Sequence, residues 1–400
     1  MHNYDEKDVV NIIYLDNAAT TKIDGRVLEA MMPYLTDEYG NAGTLYRLGR
    51  QANDAVQKAR KQVADLIGVN PEQIIFTSGG SEANNLVFRG VKDHLKKINK
   101  THILVSAVEH DSVLRAAESL IKEGFRVDYI PVSQDGEVSV ESVRAALTND
   151  TGLVSVMAVN NETGRSNPIF QISNLCQTRE ILFHTDCVQA VGDYHIDAFE
   201  CDYSFVSISS HKIYGPKGVG ALYVADKSLM SPIIYGGSDQ EFGLRAGTEN
   251  VAGIVGFGKA CELIRYDYEC DYVWCFLYEL RERFLKALTQ ELKSKNLEGI
   301  LHIHGNKSLG RILNLGFDGV DAQTLLLMLD NKGVCVSAGS ACCSHENKPS
   351  HVLKAMGLSD EEARSSIRVS FSKANQLFEV GCAARTIAEC VEVLKEKERE

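Results

Sequence analysis

Two kinds of hydrophobic pattern alternate along the first half of the chain. Short apolar runs such as Ile74-Ile75-Phe76 and Ile103–Ser106 are typical of buried strands, and stretches such as Arg47–Ile67 have helical spacing and end at a glycine, here Gly68. Further strands are predicted at Val127–Ile130, Leu153–Val159, Ile181–His184, Ser204–Ser207 and Gly220–Val224. This alternation predicts an α/β domain whose largely parallel sheet is covered by helices on both faces.

The pattern changes after about Val251, which indicates a second, smaller α+β domain. Its predicted elements are a long helical stretch through Leu292, a strand at Arg311–Leu315, a helix at Asp321–Asn331, a strand at Ile367–Phe371 and a C-terminal helix. We expect the first residues to pack with this domain. The predicted division is therefore residues 21–262 for the large domain, and 1–20 with 263–400 for the small one, which carries a Gly/Ser/Cys-rich loop at 337–349.

Charge and composition exclude several classes of protein. The chain has 42 Lys and Arg against 54 Asp and Glu, a formal charge of −12, which argues against direct nucleic-acid binding or attraction to an anionic membrane. No apolar run approaches the ~18 residues that a membrane span needs, and the acidic N-terminus does not resemble a signal peptide. These features predict a cytoplasmic enzyme.

Cysteine spacing argues against a disulfide framework and against a resident metal. Eleven Cys are irregularly placed in 400 residues, and no C-x-x-C motif occurs. Cys270 and Cys275 lie in an aromatic helical stretch and are predicted to be core thiols. His302 and His304 are predicted to share one face of a strand, and no third metal ligand lies near them in the sequence.

A glycine pair joins the first predicted strand to a helix. In Gly79-Gly80-Ser81 the backbone N–H groups of the helix start and the Ser81 hydroxyl converge on one point, which suits an anion such as phosphate. The alternative is a tight turn with Ser81 as an N-cap. The segment is neither a P-loop nor a G-x-G-x-x-G motif, so nucleotide binding is not favoured.

Lys212 follows another predicted strand and precedes a Gly-Pro turn. A lysine that forms a Schiff base with an aldehyde needs such a rigid, partly desolvated position. Taken alone, Lys212 would more often be an ordinary surface lysine.

Asp186 lies just after the predicted strand Ile181–His184, and Gln189 follows three residues later. A carboxylate at a strand end can keep a heterocyclic nitrogen protonated, as pyridoxal phosphate requires. The alternative for Asp186 is a helix N-cap. A phosphate cradle, a Schiff-base lysine and a pyridinium acid at strand ends together indicate pyridoxal phosphate at the carboxyl edge of an open α/β sheet.

The residues resemble the cysteine desulfurases of the NifS/IscS type, class-V aminotransferases with the fold type I of pyridoxal-phosphate-dependent transferases. The resemblance runs from about residue 12 to 372. The segments that carry it are Tyr14–Thr21, Gly79–Glu82, Glu109-His110, Asn160–Gly164, Thr185–Gln189, Ser209–Lys212, Arg245–Asn250, Ser340–Cys342 and Pro349–Leu353. It implies a mainly parallel seven-stranded sheet covered by helices, plus the smaller α+β domain.

The resemblance also implies a role for each matching residue. Lys212 would hold pyridoxal phosphate and shuttle protons, and His110 would stack on the ring and assist acid–base steps. The other implied cofactor ligands are Gly80, Ser81, Ser209 and His211 for the phosphate, Thr248 for the partner subunit's cofactor in a homodimer, Asp186 for the ring nitrogen, Gln189 for the ring oxygen, and Asn161. Asn161 and Arg368 would bind the substrate carboxylate, which a planar guanidinium suits well.

Cys342 decides the reaction that the resemblance implies. It lies in a segment of small and polar residues, where a mobile arm is expected, and a thiol on such an arm can take sulfur from L-cysteine as a persulfide and leave L-alanine. Cys342 would also be a transient iron–sulfur ligand with a scaffold partner. The neighbouring Cys343 is interpreted as an incidental substitution or a relay thiol.

The implied partners are a second copy of the chain and a sulfur-acceptor protein, either an iron–sulfur scaffold or a thiolation enzyme. Three alternatives stay open at this point. They are a selenocysteine lyase, another class-V aminotransferase, and an inactive subunit that only relays sulfur; the retention of Lys212, Asp186 and Cys342 disfavours the last.

Overall fold

A computed structural model describes residues 12–198, 201–237, 239–269, 272–305, 310–339 and 348–397. Its helices are α1 (Gly25–Thr36), α2 (Arg47–Leu66), α3 (Gly80–Lys97), α4 (Asp111–Ser119), α5 (Val140–Ala146), α6 (Ile169–Gln177), α7 (Val251–Glu269), α8 (Tyr272–Ser294), α9 (Ala322–Asn331), α10 (His351–Ala355), α11 (Asp360–Arg364) and α12 (Leu377–Lys397). Its strands are β1 (Ile13–Tyr14), β2 (Ile74–Thr77), β3 (His102–Ser106), β4 (Arg126–Ile130), β5 (Thr151–Ser155), β6 (Leu182–Asp186), β7 (Phe205–Ser209), β8 (Gly220–Val224), β9 (Leu301–His304), β10 (Ile312–Phe317), β11 (Val334–Cys335) and β12 (Ser366–Ser370).

The contacts divide the chain into two compact units. The first, which we call the small unit, comprises residues 1–19, 161–165 and 272–400, and the second, the large unit, comprises 20–160 and 166–271. The short segment Asn161–Arg165 therefore belongs to the small unit although the chain on both sides of it belongs to the large one. The domain boundaries predicted from the sequence, 21–262 for the large domain and 1–20 with 263–400 for the small one, stay a prediction.

The large unit contains a seven-stranded sheet in the order β2-β8-β7-β6-β5-β3-β4 among the described residues. The pairs β3–β4, β3–β5, β5–β6 and β6–β7 are parallel, whereas β8 runs antiparallel to both β7 and β2. The predicted mainly parallel seven-stranded sheet is confirmed. Because β2 and β7 are both antiparallel to β8, they share one direction. The strands that end at the same edge of the sheet as β6 are therefore β2, β3, β4, β5 and β7.

Alternating side chains of the sheet enter two different hydrophobic cores. Ile74 and Phe76 of β2 pack in one cluster with residues of α2 and α7, while Ile75 packs in another with residues of α3 and α4. Since successive side chains of a strand point to opposite faces, helices cover both faces of this sheet. The sheet therefore lies between two layers of helices.

The small unit has its own core and two small sheets. β10 pairs with β9 and β12 in an antiparallel sheet, and β1 pairs with β11 in parallel. One buried cluster of this unit contains Leu15 near the start of the chain together with Leu277, Leu313 and Ile387. The first described residues thus pack with the C-terminal part of the chain, as the sequence predicted.

Two expectations for residues 251–305 change in the structure. The long predicted helical stretch is divided into α7 and α8, and Cys275 of α8 is exposed, so the prediction of a core thiol is wrong there. The buried stripe of α8 includes Leu277, Leu280 and Phe284, at helical spacing, and Cys275 lies off that stripe. Cys270 lies outside the described residues. β9 does place His302 and His304 on one face, and no cluster of three metal-ligating side chains occurs within the described ranges.

Candidate active site at the carboxyl edge of the sheet

The polar residues singled out in the large unit follow strands that end at the same sheet edge. Gly80 follows β2, His110 follows β3, Asp186 ends β6 and Ser209 ends β7. All four strands run in one direction, so the backbone brings these residues to one edge although they span 130 positions of the chain.

The turn between β2 and α3 favours glycine at both positions, by its backbone conformation at Gly79 and by lack of space at Gly80. Gly79 has φ +151°, and a Cβ on Gly80 would lie 2.8 Å from Cγ2 of Val188. A Cβ on Gly79 would approach Oγ of Ser209 to 3.9 Å, so the start of α3 lies beside the end of β7. The first N–H groups of α3 have no carbonyl partner within the helix and can bind an anion at this point.

Asp186 is held by α3 and by its own backbone. It is 5 % exposed; Nδ2 of Asn84 donates to its Oδ2 at 2.8 Å, and the N–H of Val188 donates to its Oδ1 at 2.9 Å. Phe88, one turn after Asn84, packs edge-on against His184, which lies two residues before Asp186. The start of α3 therefore lies beside the end of β6. Both carboxylate oxygens therefore accept hydrogen bonds, which fix the orientation of the carboxylate at the end of β6.

Lys212 lies in a tightly closed turn after β7. The residues Ser210–Lys212 form one 3-10 turn, and the N–H groups of Ile213 and Gly215 both donate to the Ser210 carbonyl. A Cβ on Gly215 would lie 2.0 Å from Oγ of Ser210, and Tyr214 has φ +65°. Lys212 is half-buried in this turn, which matches the rigid, partly desolvated position that its proposed chemistry needs.

His211 is tied to the segment that follows β1. The Thr21 N–H and hydroxyl both donate to the His211 carbonyl, and His211 Nδ1 lies 3.1 Å from the Thr20 hydroxyl. Burial, and then the charges of Lys212 and Lys217, lower the pKa of His211 to about 4. At neutral pH the ring therefore offers a neutral hydrogen-bond donor.

The remaining residues of the large unit that are predicted to bind the cofactor differ in exposure. Gln189 is buried, whereas Ser81 and Thr248 are exposed. Near Thr248, the Nε of Arg245 donates to Glu82 Oε1 at 2.9 Å and links this loop to the first turn of α3. Burial favours the neutral form of Glu82, but the hydrogen bonds from Arg245 and Ser78 lower its pKa.

In the small unit, the two residues predicted to bind the substrate carboxylate, Asn161 and Arg368, are in contact. Nη1 of Arg368 donates to the Asn161 carbonyl at 3.0 Å, and Nη2 donates to Oδ1 of Asp16 at 2.7 Å. Arg368 is 1 % exposed, and its Nε has no hydrogen-bond partner among the described residues. A buried guanidinium with an N–H group to spare fits the binding of a carboxylate.

The ends of the predicted mobile arm are also in the small unit. The Ser350 hydroxyl donates to Oε2 of Glu162 at 2.5 Å, and a Cβ on Gly339 would lie 3.5 Å from the same oxygen. Cys342 and Cys343 lie outside the described residues, so their roles stay predictions.

The residues of the large unit fit pyridoxal phosphate. The first N–H groups of α3 with Ser209 and the neutral His211 suit a phosphate dianion, and the carboxylate of Asp186 suits a protonated ring nitrogen. Lys212 supplies the amine that an aldehyde needs.

Comparison with known proteins confirms the predicted fold, the class of enzyme and the cofactor. The profile of the class-V aminotransferases matches residues 13–381. Cysteine desulfurase IscS of Clostridium botulinum is 42% identical over 363 residues, which cover 91% of this chain and 90% of that protein.

The chain belongs to the cysteine desulfurases, within the class-V aminotransferases.

Solved structures agree with this assignment. A NifS-like protein superposes with a TM-score of 0.86 at 34% identity, covering 94% of this chain and 98% of its own. A protein described as SspA in complex with cysteine superposes with a TM-score of 0.75 at 33% identity, covering 90% and 98%. The cofactor of this family of enzymes is pyridoxal phosphate.

Sequence reasoning missed several residues that shape the site. Asn84 and Ser112 bond to the predicted residues Asp186 and His110, and Asp16 orients Arg368. Of these residues, Asn84 is the one that the sequence pattern could have indicated. It is a polar residue among apolar ones, and its neighbours Ala83 and Leu86 are buried positions of α3. The partner of Asp16 depends on the fold, whereas Ser112 lies only two residues from His110.

Proposed function

We propose that this desulfurase takes sulfur from L-cysteine onto Cys342 as a persulfide, releases L-alanine, and passes the sulfur to an acceptor protein. The observation that supports this most directly is the buried, doubly hydrogen-bonded carboxylate of Asp186 at the same sheet edge as Lys212. Pyridoxal phosphate, when bound, supplies the electron withdrawal that labilises bonds at the amino-acid Cα and Cβ.

Each residue has a task in this proposal. Lys212 holds the cofactor aldehyde and moves protons, Asp186 keeps the ring nitrogen protonated, and Gln189 binds the ring oxygen. Gly80, Ser81, Ser209 and His211 bind the phosphate. Asn161 and Arg368 bind the substrate carboxylate, and His110 lies on the ring face.

The Cys342 thiolate attacks the substrate sulfur. A sulfur–sulfur bond forms, the carbon–sulfur bond breaks, and its electron pair stays with the carbon skeleton, which takes up protons and leaves as alanine. The persulfide then passes its outer sulfur to a nucleophile of the acceptor. A scaffold that assembles iron–sulfur clusters and an enzyme of thiolation both suit this chemistry, and with the scaffold Cys342 would serve as a transient cluster ligand.

We also propose that the chain works as a homodimer in the cytoplasm. Leu28, Met32 and Leu35 of α1 are 44%, 46% and 58% exposed and recur at helical spacing, so they form an apolar face that a second subunit would cover. The exposed Thr248 is available to a partner's cofactor. Among the described residues, no helix combines the length and the apolar character that crossing a bilayer requires. Sedimentation of the wild type should give twice the mass of the chain.

The test is the reaction of the purified chain with pyridoxal phosphate, L-cysteine and a reductant. Alanine and sulfide should appear in equal amounts, and Lys212→Ala should lose both products together with the visible absorbance of the bound cofactor. Cys342→Ala should keep the absorbance and lose sulfide, whereas the matched Cys343→Ala should keep both. Undiminished sulfide from Cys342→Ala would refute the assignment of the nucleophile, and turnover of selenocysteine alone would favour the lyase.

A further inference from the structure

His110 caps the N-terminus of α4 with its own ring. The backbone N–H of Ser112 donates to Nδ1 of His110 at 3.1 Å, and the Ser112 hydroxyl lies 2.8 Å from the same nitrogen. An N–H group can only donate, so Nδ1 must be the acceptor and carries no proton. The proton of the neutral ring is therefore on Nε2.

A buried amide occupies the acceptor side of the Ser112 hydroxyl. Asn84, 1 % exposed, donates from Nδ2 to the Ser112 hydroxyl oxygen at 2.8 Å and to Asp186 Oδ2 at 2.8 Å. A carboxylate only accepts, which orients the amide nitrogen toward Asp186. Because Nδ1 of His110 is an acceptor, the Ser112 hydroxyl directs its single proton to that nitrogen while its oxygen accepts from Asn84.

These contacts form one chain from Asp186 through Asn84 and Ser112 to His110. The N–H and the hydroxyl of Ser112 both donate to Nδ1, so a proton placed there would break the hydrogen bond from the N–H and force the hydroxyl to turn its own proton away. The start of a helix also disfavours a cation at its cap. The ring is thus arranged as a neutral donor through Nε2 and is poorly arranged to accept a proton.

We propose that His110 acts as a neutral Nε2–H hydrogen-bond donor rather than as a general base, and that Asn84 and Ser112 are the positioning residues that hold it in this state. This inference rests on the proposed function for the place of His110 beside the cofactor. It assigns proton acceptance in the reaction to Lys212. His110 then stabilises negative charge on the cofactor or the substrate.

Nuclear magnetic resonance of the full chain with ¹⁵N-labelled histidine tests the protonation state directly. His110→Gln identifies the resonances. At neutral pH, with and without pyridoxal phosphate, Nδ1 of His110 should resonate as an unprotonated nitrogen and Nε2 as a protonated one. A proton on Nδ1, in a neutral or a cationic ring, would overturn the proposal.

The positioning residues are tested in the same spectra. Ser112→Ala removes one of the two donors at Nδ1 and should shift both ring resonances toward the average of the two tautomers. Ser112→Thr keeps the hydroxyl and should restore the wild-type positions. Equal spectra for the wild type, Ser112→Ala and Ser112→Thr would refute the role of the Asn84–Ser112 bridge. These readouts need no turnover, so they stand even if the proposed reaction fails.

Activity separates a donor from a base. Glutamine supplies an N–H donor and no base, so His110→Gln should be at least about tenfold more active than His110→Ala, because a lost donor at developing charge costs about 10²–10³-fold. Equal losses in both variants, of about 10²–10⁴-fold, would indicate a general base and contradict the donor role.

Discussion

Arg60 of α2 and Glu241, 181 residues apart, form a buried ion pair with two parallel hydrogen bonds. Nη1 donates to Oε2 at 2.8 Å and Nη2 to Oε1 at 2.7 Å, and both side chains are 5% exposed. The N–H of Phe76 also donates to Glu241 at 2.7 Å, which connects β2 to this pair. Glu241 and Phe242 have φ of +43° and +58°, so the pair stabilises a backbone conformation that these residues rarely adopt. The loop it holds continues to Arg245 and Thr248.

Glu241→Gln should be strongly destabilising, because it leaves the Arg60 charge buried without its counter-ion. We expect a loss of about 3–5 kcal/mol in the free energy of unfolding, measured by chemical denaturation. Asp65→Asn is the matched control, since it breaks the exposed Lys61–Asp65 pair on the same helix and should cost less than about 1 kcal/mol. Equal effects of the two substitutions would show that burial does not govern the Arg60 pair.

Asp186→Asn should leave the fold intact and impair the cofactor's chemistry. The amide oxygen of the variant can accept from Asn84, but the negative charge is gone and the amide nitrogen cannot accept from the Val188 N–H. Charged hydrogen bonds contribute about 1.5–3 kcal/mol, so kcat should fall about 10–100-fold. The visible spectrum of the bound cofactor should change with it, and the lost hydrogen bond should cost about 1–3 kcal/mol in the free energy of unfolding. An unchanged kcat would exclude a charge interaction with the ring nitrogen.

Arg368→Lys should raise KM for L-cysteine about 10–100-fold, since an ammonium cannot reproduce a bidentate contact with a carboxylate. Asp16 and the Asn161 carbonyl hold the guanidinium in place. Asp16→Asn therefore serves as a second variant, and it should raise KM by a smaller factor. Titration with pyridoxal phosphate checks the specificity of the effect, because cofactor affinity should stay the same in Arg368→Lys. A lower kcat with unchanged KM would contradict a role in carboxylate binding.

His184 should make the fold sensitive to acid. It is fully buried between the hydroxyls of Ser155 and Ser207, at 2.8 and 3.0 Å, and burial lowers its pKa to about 3. The unfolded chain, with a His pKa of about 6.5, binds this proton first. Stability is thus complete above about pH 6.5 and falls as the pH drops from there toward about 3, with a slope of about 1.4 kcal/mol per pH unit from this group.

His184→Gln can bond to both hydroxyls and cannot titrate, so it should flatten the dependence of unfolding free energy on pH in this window. The measurement is a series of denaturant titrations between pH 4 and 7. His195→Gln replaces an exposed ring and should keep the wild-type slope. A parallel loss of stability at every pH in His184→Gln would mean that burial of the neutral ring is not what couples folding to protons.

Much of the fold and site could be predicted because both depend on local order along the chain. The runs around Ile74–Phe76 and Ile103–Ser106 are strands. Gly80 and Lys212 follow strand ends as their positions indicated, and Asp186 is the last residue of β6. In a parallel sheet, following a strand is enough to locate a residue at the ligand-binding edge. The family segments then identified the cofactor and the class of reaction.

The other parts needed tertiary structure because their partners are distant in sequence. In the sequence, Asn84 resembles any polar residue of a helix. Its contact with Asp186 depends on the packing of α3 against β6. The Asn161–Arg368 contact spans 207 residues and joins a short segment to β12. Cys275 shows the opposite case, since its aromatic neighbours suggested a core that the orientation of α8 excludes.

The sequence by itself determined which chemical groups this protein has and at which strand ends they lie, since periodicity and glycine placement are local properties. Only the tertiary structure decided that Asn84 faces both Asp186 and Ser112 and which carboxylate Arg60 faces. Those outcomes depend on hydrogen-bond donors and charges from separate helices and strands, and only packing brings these within about 3 Å of each other.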